Sequence, residues 1–164
     1  MTTGTIMSNS AAHLAQLNIG RIRYETDDPR MADFMNNLER VNGIAERSPG
    51  FVWRYKDDSG NATSTRPFTD PRMLVNMSVW ESVEALEKFA WQTVHTRFYA
   101  RKHEWFEKLE GAYFVLWHVP VGHRPSVQEA IARLDHLKAH GPSEYAFGWQ
   151  DVASAKLWKS ARCA

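Results

Sequence analysis

Apolar residues recur along the chain at two periods, and the switching between those periods predicts the fold. Residues 13–23 alternate: Ala15, Leu17 and Ile19 fall on one side, and Leu14, Gln16, Asn18 and Gly20 on the other. That is a strand with one apolar and one mixed face. Asp27-Asp28-Pro29 then marks a turn and a helix start, with an aspartate as cap and proline in the first turn. Over residues 31–46, Met31, Phe34, Met35, Leu38, Val41 and Ile44 or Ala45 repeat at helical spacing, until Ser48-Pro49-Gly50 stops the helix. Residues 51–56 alternate aromatic with polar side chains as a strand does. Residues 57–70 form a polar loop, long for a hairpin connection, and loops of that length often carry function. Residues 73–80 are the next strand, with Val75, Met77 and Val79 on its apolar face and Leu74, Asn76, Ser78 and Trp80 on a mixed one.

The helical period returns at residues 81–89, where Ser82 is a candidate cap. Ala85 stands where a capping box needs Glu or Gln. Residues 91–109 read as an aromatic helix, either continuous with 81–89 or restarting near Gln92-Thr93. Trp91, His95, Phe98, Lys102, Phe106 and Leu109 share one face, and Arg97, Arg101, Glu104 and Lys108 the opposite one. A stripe serving only a core would be apolar throughout. His95 and Lys102 among the rings therefore mark a candidate site. Gly111 ends this helix, and residues 113–119 read as a buried strand. After the turn at 120–125, Ser126 caps a third helix, with Glu129 completing a capping box and Val127, Ile131, Leu134 and Leu137 as its stripe. Gly141-Pro142 ends it, and residues 145–149 suggest a short extra strand.

The order β-α-β-β-α-β with a C-terminal helix extension places the chain in the α+β class, as a ferredoxin-like split βαβ domain. Its sheet is expected to be antiparallel, with both helices on one face. The strongly apolar faces of three strands are expected to meet those helices. The mixed, aromatic face is too apolar to leave wet, and a second sheet from a partner chain would cover it. That predicts a homodimer. Residues 1–12 are expected to be a disordered leader, residues 13–149 a single domain and residues 150–164 a C-terminal tail.

Composition narrows the function classes. In 164 residues, 20 Lys and Arg are interspersed with 19 Asp and Glu, so no basic block invites nucleic acid. No apolar run approaches the roughly 20 residues of a membrane helix, and the leader lacks the basic and apolar regions of a secretory signal. Cys163 is the only cysteine, which rules out an internal disulfide and fits a cytoplasmic location. His95, His103, His118 and His123 could in principle share a metal. However, His95 and His103 lie about 12 Å apart along a helix, too far to chelate one ion. With no HExxH, no Cys/His cluster, no P-loop and no dinucleotide fingerprint, no metal site is expected. His118 and Trp117 are adjacent on a strand and so face opposite ways, Trp117 into an apolar layer and His118 toward a dimer face. His123-Arg124 occupies a turn bracketed by Gly122 and Pro125, either a structural corner or an anion contact at a pocket mouth.

The stretch Asn76-Met77-Ser78-Val79-Trp80-Glu81-Ser82-Val83-Glu84-Ala85-Leu86, followed by His95 and a Phe/Tyr-rich helix, resembles the dimeric α/β-barrel superfamily. That superfamily includes the antibiotic-biosynthesis monooxygenase-like proteins. His95 through Trp105-Phe106, Leu116-Trp117, Pro120, Gly122-His123-Arg124-Pro125, Glu129-Ala130, Arg133-Leu134 and Gly141-Pro142-Ser143 with Phe147 are similar to one uncharacterised bacterial family within it, a domain of unknown function. The resemblance spans about residues 13–149. It implies two sheets back to back in a dimer, helices outside, and a pocket between sheet and helices in each subunit. Members include cofactor-free oxygenases, haem-degrading enzymes, isomerases and plain binding proteins, so the fold alone does not name a reaction.

Three functions are consistent with these residues. In the first, a cofactor-free, monooxygenase-like enzyme binds a small aromatic substrate among Trp53, Trp80, Trp91, Phe98 and Tyr99. His95 is the acid/base, since an imidazole pKa near 6.5 suits proton abstraction at neutrality. Asn76 or Asn18 hydrogen-bonds the resulting oxyanion, and Lys102 adds positive charge, unless its stem merely covers apolar surface. In the second, the order Asn18, Trp80, His95 resembles the triad of the haem-degrading monooxygenases, which implies His95 as axial haem ligand. In the third, the protein is a non-catalytic ligand-binding dimer, with His95 and Trp80 as packed core residues.

Overall fold

The computed structural model describes residues 12–56, 70–92, 97, 99–109 and 111–153. The expected leader before Ala12, the loop 57–69, the tail from residue 154 with Cys163, and the candidate residues His95 and Phe98 lie outside the described residues. Four antiparallel strands, β1 (Ala12–Arg21), β2 (Phe51–Arg54), β3 (Met73–Trp80) and β4 (Phe114–Pro120), lie in the order β2-β3-β1-β4. Helix α1 (Ala32–Arg47) joins β1 to β2, and α2 (Val83–Gln92) and α3 (Lys102–Trp105) lie between β3 and β4. Helix α4 (Val127–His140) follows β4. This is the α+β, ferredoxin-like arrangement, with β1 and β3 central.

Local chemistry sets several boundaries. The Asp28 carboxylate accepts from the Arg30 backbone N–H at 2.8 Å and opens a 3-10 turn, Pro29–Met31, that leads into α1. The Ser82 hydroxyl accepts from the Ala85 N–H at 3.2 Å, and the Ser126 hydroxyl from the Glu129 N–H at 3.1 Å. The expected capping box at Ser126 is only half made. The Glu129 carboxylate instead accepts from Trp117 Nε1 at 3.1 Å and meets His123 Nε2 at 2.8 Å. His123 is thereby tied to a structural corner. Gly50 turns α1 into β2 with φ of +83°, a conformation that other residues avoid.

The helices take the opposite sheet face from the one expected. Val41 and Ala45 of α1 and Leu86 and Phe89 of α2 pack with Leu14, Trp80 and Leu116, which belong to the mixed face. The strongly apolar face, with Ala15, Leu17, Met77, Val115 and Trp117, is packed instead by Val127, Ala130 and Leu134 of α4. Period-two alternation says which residues share a face but not what covers it. Here α4 supplies an apolar stripe that must be buried, and it lies over β4 and β1. Along those two strands the apolar face is covered from within the chain.

Two further differences have clear causes. The pairing of Phe51 with Trp80 and of Trp53 with Val79 is one residue out of step, so a bulge falls between them. It sends Phe51 and Trp53 to opposite faces, where simple alternation would put them on the same one. The aromatic helix is also shorter than its stripe. Arg97, Tyr99 and Ala100 are helical and α3 ends at Trp105, whereas Phe106 is extended at φ −120° and ψ 142°. The chain leaves the helix to pair with the end of β1: Arg23 N–H donates to Trp105 O and Glu107 N–H to Arg21 O, each at 2.8 Å. Trp105, absent from the expected stripe, is buried with Ile22, Met31, Phe34 and Leu74. Phe106 lies on Gly20, where a Cβ would stand 2.6 Å from the ring, so only glycine admits it. The suggested strand at residues 145–149 reduces to two isolated bridges, Leu116 to Phe147 and Ser143 to Ala146.

Candidate functional site

A cavity of about 790 Å³ is lined by the mixed face, by helices α1 to α3, and by Leu137, Gly141 and Pro142 at the end of α4. Its floor is set by strand register. Gln16 stands opposite Ser78 and Asn18 opposite Asn76, so four polar side chains form a two-by-two block at the centre of the sheet. Leu14 opposite Trp80 closes one end of the block, and Gly20 opposite Leu74 the other. Polar residues at the centre of a sheet beneath two helices are unusual, because burial there costs free energy unless every group is bonded.

The bonding is nearly complete, and the exception is informative. Gln16 Nε2 donates to Asn76 Oδ1 and to Ser78 Oγ, both at 2.8 Å, and Trp80 Nε1 donates to the same Ser78 oxygen at 2.9 Å. Gln16 is 5% exposed, yet its Oε1 has no hydrogen-bond partner. A second buried group without a partner is Trp91 Nε1. Both atoms are enclosed by neighbouring side chains and have essentially no accessible surface. Asn76 is exposed to the cavity and Asn18 partly so, which leaves amide groups free to meet a guest.

The walls are aromatic. Trp91 meets Tyr99 edge-on at 5.3 Å and Trp149 at 6.3 Å, and Trp149 stacks on Phe114 at 5.8 Å. Phe34 packs edge-on against Phe106 at 5.3 Å. Lys102 reaches over the Tyr113 ring, with Nζ 3.9 Å from its centroid and 5.4 Å from that of Tyr99. Burial, and then the neighbouring Tyr113 hydroxyl, push the Tyr99 phenol up to about 12, so it stays protonated at neutrality. Across the floor, Arg54 Nε pairs with Glu46 at 2.7 Å, and this guanidinium holds the Glu46 carboxyl below the usual carboxylate range.

Of the residues expected from sequence, Asn18, Asn76, Trp80, Trp91, Tyr99 and Lys102 all border this cavity. Trp53 does not. The bulge places it on the other sheet face, edge-on to Tyr55 at 6.5 Å. Trp80 is a packed ring with no exposed surface, stacked on Phe89 at 5.3 Å and edge-on to Phe51 at 5.4 Å. Its contribution to the site is the N–H it gives Ser78. His118 lies on the mixed face against Phe147, not at an outer sheet surface, and burial lowers its pKa despite an opposing pull from Glu144. Sequence reasoning missed Gln16 and Ser78 as site residues. The signal was present in two polar residues, each on the mixed face of a central strand, but only the register pairs them.

The haem alternative can be tested on Trp80. A tryptophan that shapes a macrocycle needs an exposed ring edge, whereas this one is fully enclosed and its N–H is already engaged. The residues present do not fit that role. Among the described residues no three His, Cys, Asp or Glu side chains gather to hold a metal ion, and no helix is long and apolar enough to cross a membrane.

Comparison with known proteins gives one family and several solved structures. A family model described as a domain of unknown function, DUF3291, matches residues 13–163. No curated protein matches the sequence. Among solved structures, the chain is similar to SnoaB of Streptomyces nogalater, described as a cofactor-independent oxygenase, at 17% identity and TM-score 0.45, covering 73% of this chain and 100% of that one. It is similar to a conserved protein of Methanosarcina mazei Go1 at 12% identity and TM-score 0.45, covering 68% and 94%. A protein of unknown function from Nitrosomonas europaea matches at 8% identity and TM-score 0.45, covering 72% and 97%.

Proposed function

The chain belongs to the DUF3291 family, and we propose that it binds a small aromatic molecule in this cavity and oxygenates it without a cofactor. The observation that carries the reading is the block of Gln16, Asn18, Asn76 and Ser78 beneath aromatic walls, with the Asn76 amide exposed. A guest ring is held by Trp91 and Tyr99, and its oxygen substituents meet the floor amides.

His95 removes a proton from an enolisable phenol, and the Asn76 and Asn18 amides donate to the oxyanion so formed. The electron-rich anion gives an electron to dioxygen, and recombination of the two radicals forms a carbon–oxygen bond as a hydroperoxide. Loss of water from the hydroperoxide leaves a quinone, so one oxygen atom enters the product and the other leaves as water. Aromatic walls keep bulk water from the reactive anion. Homodimerisation belongs to the same proposal. It would use the β2 end of the apolar face, where Trp53 and Tyr55 are half-buried and Val52 is exposed.

The test is oxygen uptake and thermal stability with anthrone as probe. The expected result is saturable stabilisation with oxygen consumption, where His95→Ala retains binding and loses rate, and Asn76→Ala loses about 10- to 1000-fold in rate. Stabilisation without oxygen consumption would leave a binding protein. Absence of both would overturn the proposal. A saturable Soret band with hemin, lost in His95→Ala, would replace it with haem binding.

A further inference from the structure

Helix α4 carries a second group of chemistry-bearing side chains beside its buried stripe. Val127, Ala130 and Leu134 pack on the sheet. His136 and His140 stand four residues apart in the last turns of the helix, so they are neighbours on its surface. Their ring centroids are 4.7 Å apart and the rings are tilted by 43°. His136 is half-buried and His140 exposed, and neither ring is hydrogen-bonded to a described residue. Their nitrogens are therefore available to a metal ion.

The spacing is that of a chelating pair. A metal-bound imidazole nitrogen stands about 2.0–2.1 Å from the ion, which puts the ring centre about 3.2 Å from it. Ring centres 4.7 Å apart then subtend about 95° at a shared ion. That is close to the right angle between neighbouring ligands in square-planar and octahedral coordination. Two histidines at this sequence spacing hold zinc in the helical HExxH motif.

The pair is also held in place. His136 packs edge-on against the Tyr145 ring at 4.7 Å. Arg133 in turn clamps Tyr145: its guanidinium lies 3.7 Å over the ring and its Nη1 donates to the Tyr145 carbonyl oxygen at 2.9 Å. Leu134, 1% exposed, anchors the helix beneath. A ligand ring already oriented by its neighbours loses less freedom when the metal binds. Arg133 and Lys138 are the neighbouring cations and oppose a metal. The negative end of the helix dipole, in the turn that carries His140, favours one.

We propose that His136 and His140 form a two-histidine site for a borderline divalent cation, Cu²⁺, Ni²⁺ or Zn²⁺. Imidazole suits these ions, whereas Mg²⁺ and Ca²⁺ take oxygen ligands. Among the described residues no third His, Cys, Asp or Glu completes the set, so water fills the remaining positions and the metal exchanges. The site is separate from the aromatic cavity. Leu137 borders that cavity and neither histidine does, so the proposal stands or falls independently of the guest bound there.

The test is calorimetric titration of the full-length protein with CuCl₂ and NiCl₂, with MgCl₂ as control. The expected result is one saturable site per chain, tighter for Cu²⁺ than for Ni²⁺, with no heat from Mg²⁺. His136→Ala and His140→Ala should each weaken binding by more than about tenfold, since even the outer partners of a ligand are worth about 10- to 100-fold. The decisive variant exchanges two exposed neighbours, Lys138→His with His140→Lys. It keeps the composition and moves the second imidazole off the face of the first. Its metal-free unfolding midpoint should match the parent, while Ni²⁺ should raise the midpoint of the parent alone. Absence of a saturable site for either ion overturns the inference. So does parental affinity in the exchanged variant, which would place the metal on other histidines.

Discussion

Ser78→Ala is the sharpest test of the floor, because one small oxygen satisfies two buried donors. Ser78 Oγ accepts from Trp80 Nε1 at 2.9 Å and from Gln16 Nε2 at 2.8 Å. Trp80 is fully enclosed, so after the substitution no water replaces the lost acceptor. An orphaned buried donor costs about 1–3 kcal/mol, and the Gln16 bond adds about 1 kcal/mol, less affected because Gln16 keeps Asn76. The expected loss is about 2–4 kcal/mol, read by urea denaturation at constant m-value. Gln16→Met provides the contrast. It removes two bonds worth about 1 kcal/mol each but also removes an unbonded buried oxygen costing about 1–3 kcal/mol, so stability should change by less than about 1 kcal/mol. The double variant leaves only the Trp80 N–H orphaned and should cost less than Ser78→Ala alone. If Ser78→Ala lies within about 0.5 kcal/mol of the parent, or Gln16→Met costs as much, the network does not hold the floor as described.

Two further outcomes test the packing and the pH response. Leu134→Ala should cost about 2–5 kcal/mol in the same denaturation assay, since Leu134 is 1% exposed between α4 and the sheet; a loss below about 1 kcal/mol would mean that α4 does not cover the apolar face. His118 is held below its ordinary pKa by burial, so the unfolded chain binds its proton first as pH falls. Stability should therefore decline as pH drops below the unfolded value near 6.5, and level off in this respect once the folded pKa is passed. His118→Asn should show a shallower decline between about pH 7 and pH 5, and parallel curves would refute the assignment.

The element order was legible because each element announces its own period. Residues 73–80 coincide with β3, and Asp28-Pro29, Ser82 and Ser126 mark helix starts that the hydrogen bonds bear out. What periodicity could not carry was everything decided between elements. The bulge before Trp53 depends on how β2 meets β3, and it moved an expected binding residue to the far face. The end of the aromatic helix depends on β1 offering Arg21 O and Arg23 N–H to residues 105–107, a pairing across more than 80 residues of sequence. The choice of covered face depended on α4, whose stripe was visible but whose destination was not. The same limit held for the site. Asn18, Asn76 and Lys102 were legible as polar groups breaking apolar patterns, whereas Gln16 and Ser78 became site residues only when the register set them opposite each other.

That pairing also says why the floor is polar at all. If the mixed face were only a packing surface, apolar residues at positions 16, 18, 76 and 78 would stabilise it further, as their counterparts do on the other face of the same strands. Instead the two central strands carry three amides and a hydroxyl, and three of the four are cross-linked by hydrogen bonds that fix their direction. The network spends both N–H donors of Gln16 on neighbours and turns its carbonyl oxygen to no partner. A network serving stability alone would do better by burying that acceptor against a donor or by omitting it. Polarity held in a fixed direction, with the Asn76 amide exposed beside aromatic walls, is the arrangement expected where a ligand's polar groups are to be met. Gln16→Met separates the two purposes, since it should leave stability nearly unchanged while releasing the Asn76 amide from its fixed direction and so weakening guests that bond to it.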